Sequence, residues 1–190
     1  MDDRRNLQNI PSFQKLDLKE EEVFVRLYDY YAPKLLTHAY VRLGNQDEAK
    51  DVVSQVFLKA WEYVGSESVS RKPIKNIRAL LYRMVNNQII DTYRQKSRTN
   101  VSLDREIPNT AILVDAKSLS YAEQQFDVEK VLNAANLLRD EYRNVLVWRY
   151  LDELSISEIS EVMGKSRGAV SVILYRALGD IKRILKERGF

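Results

Sequence analysis

Cysteine is absent from this 190-residue chain, so neither a disulfide framework nor a thiolate metal site can be assembled. A single histidine is present, His38. It sits among Leu35, Leu36, Ala39 and Tyr40 and reads as a packing residue. Without a second histidine or any cysteine, the usual nucleophile–base pairs and zinc sites have no members. No glycine-rich phosphate loop is present either. These absences argue against an enzyme and imply neither metal nor cofactor. Hydrophobic runs stay short of a membrane span, and the polar start MDDRRNLQNI does not read as a signal peptide. The expectation is a cytoplasmic protein with no direct membrane insertion.

Glycine and proline are also scarce, at six and four residues. Long helical patterns therefore run uninterrupted, and no alternating strand pattern of useful length exists. The predicted fold class is all-α: two small helical domains joined by a flexible linker, the second carrying a helix-turn-helix. The predicted boundaries are an N-terminal extension at 1–20, a first domain at 21–97, a linker at 98–120 and a second domain at 121–190.

Charge is abundant but nearly balanced, with a net of +3. Its distribution is uneven. Between Ser68 and Leu103 lie Arg71, Lys72, Lys75, Arg78, Arg83, Arg94, Lys96 and Arg98, opposed only by Asp91. A second basic stretch runs from Lys165 to the end. The intervening stretch is acidic (Asp104, Glu106, Asp115, Glu123, Asp127, Glu129) and could fold back to mask the basic blocks. Two basic blocks of this kind suit two contacts with a polyanion.

In the first domain, a helix from Glu20 to Tyr31 is expected, with Pro33 opening a second that stops at Gly44-Asn45. Asp47 is the expected cap of a third, which continues to Val64. Its polar face carries Glu48, Asp51, Gln55, Lys59 and Glu62; Val53, Val56, Phe57 and Ala60 lie opposite. The polar loop GSESVSRK follows. A long helix from about Asn76 to Lys96 then buries Ile77, Leu80, Leu81 and Met84. It projects Asn76, Arg83, Asn87 and Arg94 in one arc, with Asp91 at the edge. Asn and Arg suit base edges and phosphates, and the basic loop Arg71, Lys72, Lys75 converges on this helix. Single strand and duplex are both open as the ligand. Tyr82 and Tyr93 could stack on unpaired bases or pack in the core.

The segment LSISEISEVMGKSRGAVSVILYR, Leu154 to Arg176, carries the most specific local signal. Ser155 can cap a short helix with Ile156, Ile159, Val162 and Met163 inward, and Gly164 permits a tight turn. Ser166 can cap a second helix with Val170, Ile173 and Leu174 inward. Arg167, Ser171, Tyr175 and Arg176 then point outward. This is the layout of a helix-turn-helix DNA reader, although an ordinary helical hairpin shares it.

Three stretches resemble the extracytoplasmic-function (ECF) sigma factors of bacterial RNA polymerase. LYDYYAPKLLTHAYVRLGNQDEAKDVVSQVFLKAWEYV resembles their second conserved region. RALLYRMVNNQIIDTYRQKSR is similar to their promoter-melting helix, and LLRDEYRNVLVWRYLDELSISEISEVMGKSRGAVSVILYRAL to their fourth region. The resemblance implies that core RNA polymerase is a partner, gripped by the face bearing Asp51 and Gln55. It implies that Arg83, Asn87 and Asp91 face the −10 promoter element, and that the loop Gly65 to Lys75 pockets a flipped-out base. Arg167, Ser171, Tyr175 and Arg176 would enter the −35 major groove. Promoter DNA would thus be met as duplex and as melted strand, and an anti-sigma factor is a further implied partner. The family often has acids where Lys50 and Gln55 stand here, a Trp at Leu80, and basic residues at Ser171 and Ile173. Two other readings remain beside it. One is a helix-turn-helix regulator acting without polymerase; the other is a non-enzymatic interaction protein that titrates a partner.

Overall fold

The structure, a computed structural model, describes residues 17–66, 74–98, 134–135 and 137–187. Arg71, Lys72, the expected linker beyond Arg98 and most of residues 121–138 lie outside the described residues. Those described are helical, with no strand among them. The helices are α1 (Glu21–Leu43), α2 (Gln46–Gly65), α3 (Ile77–Arg98), α4 (Asp140–Leu146), α5 (Ile156–Met163) and α6 (Arg167–Glu187).

The expected break at Pro33 does not occur: α1 is one helix with Pro33 inside it. An interior proline costs about 3 kcal/mol through its missing N–H and its clash with the preceding turn. The apolar stripe crosses the proline, however. Val23, Leu27 and Tyr31 are buried before it and Leu35, Ala39 and Leu43 after it. Each large side chain contributes about 1.5–3 kcal/mol when buried, so keeping the stripe in register outweighs the local penalty.

Gly44 ends α1 in the left-handed conformation, φ 72°, donating its N–H to the Tyr40 carbonyl. The next cap is Asn45, where Asp47 was expected. The Asn45 side chain accepts from the N–H groups of Asp47 and Glu48, both at 3.0 Å. Asparagine in an extended backbone directly after a glycine stop satisfies two otherwise unpaired donors at once. Helix α3 starts one residue later than expected, because Asn76 Oδ1 accepts from the Ala79 N–H at 3.1 Å and acts as its cap.

Helix α4 continues as a wider π turn over Val147–Leu151, closed by Asp152 N–H donating to the Val147 carbonyl at 3.0 Å. Ser155 and Glu158 then form a reciprocal capping box that starts α5. Gly164 provides the turn with φ 64°. Ser166 Oγ accepts from the Ala169 N–H and starts α6.

The two halves of the chain share one core. The buried cluster runs from Leu18 and Leu27 through Leu81, Val85 and Ile89 of α3 to Trp148, Ile159, Val170 and Ile181. Helix α5 packs directly on α3.

Candidate nucleic-acid interface

Helix α3 is amphipathic along its whole length, which fixes what it can offer to a ligand. Ile77, Leu81, Val85 and Ile89 are buried, whereas Arg83, Asn87, Asp91 and Arg94 are exposed. Asp91 and Arg94 form an i,i+3 pair at 3.6 Å; the Arg83 guanidinium and the Asn87 carboxamide make no hydrogen bond or ion pair among the described residues. Lys75 is exposed beside it. Asn76 departs from the expected arc, since its carboxamide is committed to the helix cap.

Both tyrosines of this helix pack. Tyr82 is buried, and its hydroxyl donates to Asp152 Oδ1 at 3.1 Å. Burial, with the Asp152 carboxylate adding to it, pushes this phenol well above its ordinary value, so it stays a donor. The Tyr93 hydroxyl donates to the Arg42 carbonyl. The basic block is also smaller than its sequence suggests. Arg78 is spent on the Asp152 carbonyl and on Glu158 at 3.6 Å, and Lys96 on Glu48 at 2.6 Å.

On α6 the inward side is Val170, Ala177 and Ile181. Arg167, Ser171, Tyr175 and Arg176 are exposed, Tyr175 at 81%. Arg167 donates to Ser157 Oγ at 2.8 Å, tying the start of α6 to α5. Ser166 is exposed but engaged as the cap. Val172, at 49% exposure between Ser171 and Tyr175, was missed by the sequence reading. Its signal is a β-branched apolar residue on an otherwise polar arc, suited to a thymine methyl.

The polar face of α2 divides. Lys59 Nζ donates to Gln88 Oε1 and Gln88 in turn donates to Gln55 Oε1, both at 2.6 Å. With Glu48 held by Lys96, three residues of the face expected to meet polymerase, Glu48, Gln55 and Lys59, are braced against α3. Asp51 is exposed and makes no ion pair among the described residues. Leu58 and Trp61 are exposed at 60% and 40%. At 100° per residue Leu58 falls 20° from Asp51, an apolar residue at the edge of the polar face. The ring of Trp61 meets Phe24 at 4.8 Å, and Tyr28 meets Phe57 at 4.7 Å. This apolar element on α1 and α2 was also missed.

Helices α3 and α4, with the end of α5 and the turn after it, face one another across a cleft of about 370 Å³. Arg83, Asn86 and Asn87 line one wall; Glu141, Asn144, Trp148, Met163 and Gly164 line the other. Beside it, Arg42 is buried and donates to Asn86 Oδ1 at 2.8 Å. Burial lowers its guanidinium to about 10, which leaves it charged at neutral pH. Among the described residues no cluster of side chains could hold a metal ion. No described helix is long and apolar enough to cross a membrane.

Comparison with known proteins finds family matches in both halves of the chain. Residues 27–99 match the family Sigma-70 region 2, and residues 129–181 match Sigma-70, region 4. The chain is 28% identical to the ECF RNA polymerase sigma factor SigW of Bacillus subtilis, over 88% of this chain and 91% of that one. It is also 28% identical to the ECF RNA polymerase sigma factor BldN of Streptomyces coelicolor, over 88% of this chain and 62% of that longer one. Two solved structures share the fold. The sigma factor RpoE of Bartonella quintana, crystallised with the anti-sigma factor NepR, superposes with a TM-score of 0.63 at 18% identity, covering 86% of this chain and 96% of that one. CnrH, in complex with the cytosolic domain of CnrY, gives 0.65 at 21% identity, covering 90% and 92%.

Proposed function

Because this chain belongs to the extracytoplasmic-function sigma factors of bacterial RNA polymerase, we propose that it divides promoter reading between α3 and α6. It is a transcription-initiation factor that binds core polymerase and promoter DNA. In the proposed division, α6 positions the complex on the −35 duplex through Ser171, Val172, Tyr175 and Arg176, with Arg167 at the edge of the groove. Arg83 and Asn87 of α3, with the basic loop through Lys75, capture the −10 strand as it opens. Each extruded base costs a few kcal/mol of stacking, which side-chain contacts to the captured strand must offset. Core polymerase docks on the α2 face around Asp51, with Leu58 and Trp61 as its apolar centre. The protein acts stoichiometrically in the cytoplasm and makes or breaks no covalent bond.

The observation that carries this reading is the pairing of two amphipathic helices. Each has polar, readable side chains exposed on one arc and its apolar stripe committed to the core. The anti-sigma factor NepR, bound to the sigma factor RpoE of like fold, supports an anti-sigma partner for this chain as well.

Arg176→Ala and Asn87→Ala separate the two contacts. The Arg176 change should weaken closed-complex binding and reduce its salt dependence by about one phosphate contact. The Asn87 change should leave duplex binding nearly intact and reduce open-complex formation. A template with a pre-melted bubble bypasses opening, so it should restore part of the Asn87 defect and none of the Arg176 defect. The same loss and rescue for both variants would refute the division.

A further inference from the structure

Two polar atoms on the wall of the cleft have nothing to bind. Asn144 Oδ1 and Trp148 Nε1 are buried without a hydrogen-bond partner, in residues 9% and 2% exposed. Buried polar atoms are nearly always paired, so an unpaired one calls for an explanation. Both residues line the cleft of about 370 Å³ opposite α3, so a ligand seated there is the partner within reach. The volume falls in the range of small-molecule sites, about 300–1,000 Å³.

The two walls differ in chemistry. The α3 wall is rich in donors. Arg83 brings a guanidinium with no ion pair among the described residues, beside Asn86. Asn86 Oδ1 accepts from the buried Arg42 at 2.8 Å. A guanidinium only donates, so the amide N–H groups of Asn86 are what remain for the cleft. A guanidinium flanked by amide donors suits a phosphate. The opposite wall carries, in chain order, two acceptors and a donor: the Glu141 carboxylate, Asn144 Oδ1 and Trp148 Nε1–H. Residues three and four apart share one helical face. Glu141 also meets Lys165 at 3.4 Å, which leaves carboxylate lone pairs free. The complement of acceptor, acceptor, donor is donor, donor, acceptor. That is the order along the Watson–Crick edge of guanine: the N2 amine, N1–H and O6. Adenine offers one donor beside an acceptor, cytosine one donor before two acceptors, and uracil a donor between two acceptors. Val162 and Met163 supply apolar surface for the ring, the thioether being a favourable neighbour for an aromatic edge.

We infer that the cleft is a binding site for a guanine mononucleotide, with its phosphate on Arg83 and Asn86 and its base edge on Glu141, Asn144 and Trp148. Arg83 cannot serve this nucleotide and the −10 strand at once, so a bound nucleotide restrains promoter opening. That consequence rests on the assignment of Arg83 to the −10 strand; the site itself does not.

Titration calorimetry of the full-length chain with guanosine, inosine and adenosine 5′-monophosphates tests the site. Inosine lacks only the exocyclic amine of guanosine. It should bind about tenfold more weakly, the loss of one hydrogen bond, and adenosine more weakly still. Glu141→Ala should bring guanosine monophosphate down to the inosine level and leave inosine unchanged. Asn144→Leu removes the buried acceptor at similar volume and should weaken guanosine monophosphate by about tenfold. Its thermal midpoint should not fall, since the lost oxygen has no partner in the protein; a merely structural role would lower it. Failure of guanosine monophosphate to bind, equal binding of the three nucleotides, or an affinity unchanged in both variants would overturn the site. Tighter binding of a guanine-containing single-stranded tetranucleotide would make the cleft a strand pocket and overturn the mononucleotide. For the consequence, holoenzyme is assembled from chain equilibrated with guanosine monophosphate. Open-complex formation should fall with wild type and hold with Asn144→Leu. An equal fall in both would overturn the restraint while calorimetry still decides the site. Whether the α3 arc reads DNA at all is reported separately by the Asn87 variant.

Discussion

Asp51 and Leu58 differ in kind, yet both are exposed on the same arc of α2. Interfaces centre on apolar anchors ringed by polar groups, and charge there governs complementarity and encounter more than affinity. Asp51→Arg should therefore weaken co-elution with core polymerase, most clearly at low salt. Leu58→Asp should weaken it at every salt concentration, because it removes a desolvated anchor. Circular dichroism should be unchanged for both, since neither side chain is in the core. Undiminished co-elution of both variants would remove this face from the polymerase contact. Glu48, Gln55 and Lys59 carry a different expectation. They brace α2 on α3, so their loss should lower thermal stability along with binding.

Helices α1 and α5 make opposite use of the residues that break helices. Pro33 is exposed within α1, so Pro33→Ala returns an N–H to the ladder without touching the core. It should raise the unfolding free energy by up to about 3 kcal/mol if the proline penalty is fully relieved, read as a higher midpoint of thermal unfolding. Gly164 lies at φ 64°, and a Cβ built there would meet nothing within 4 Å. Gly164→Ala is therefore a test of backbone strain alone. It should cost about 1–2 kcal/mol, the penalty of the left-handed region for an L side chain, read as a fall in the denaturation midpoint. A neutral result would mean that the turn relaxes to another conformation.

At the scale of the whole molecule, the shared core and the bonds of His38 and Tyr82 to Asp152 make the halves thermodynamically dependent. The free chain should unfold by heat or denaturant in a single transition seen alike by Trp61 in the first half and Trp148 in the second. Trp61→Phe and Trp148→Phe isolate the two signals. Asp152→Asn should separate the two curves, with the helix-turn-helix half melting first. Coincident curves in the variant would mean that apolar packing alone couples the halves.

Much of this was legible in the sequence because it depends on neighbours along the chain. Helical periodicity announced α2, α3, α5 and α6, and Ser155, Gly164 and Ser166 mark the helix-turn-helix through local hydrogen bonds and one backbone conformation. The exposure of Arg83, Asn87, Ser171, Tyr175 and Arg176 follows from the same 100° spacing. What failed depended on residues far apart. Continuity of α1 through Pro33 was decided by burial on both sides of the proline against α2 and α3. The basic block around α3 lost Arg78 and Lys96 to partners on α5 and α2, and Asn76 went to a cap. The union of His38, Tyr82 and Asp152 spans more than a hundred positions. No local pattern marks it, because a buried carboxylate is recognisable only once the donors that satisfy it have been folded around it.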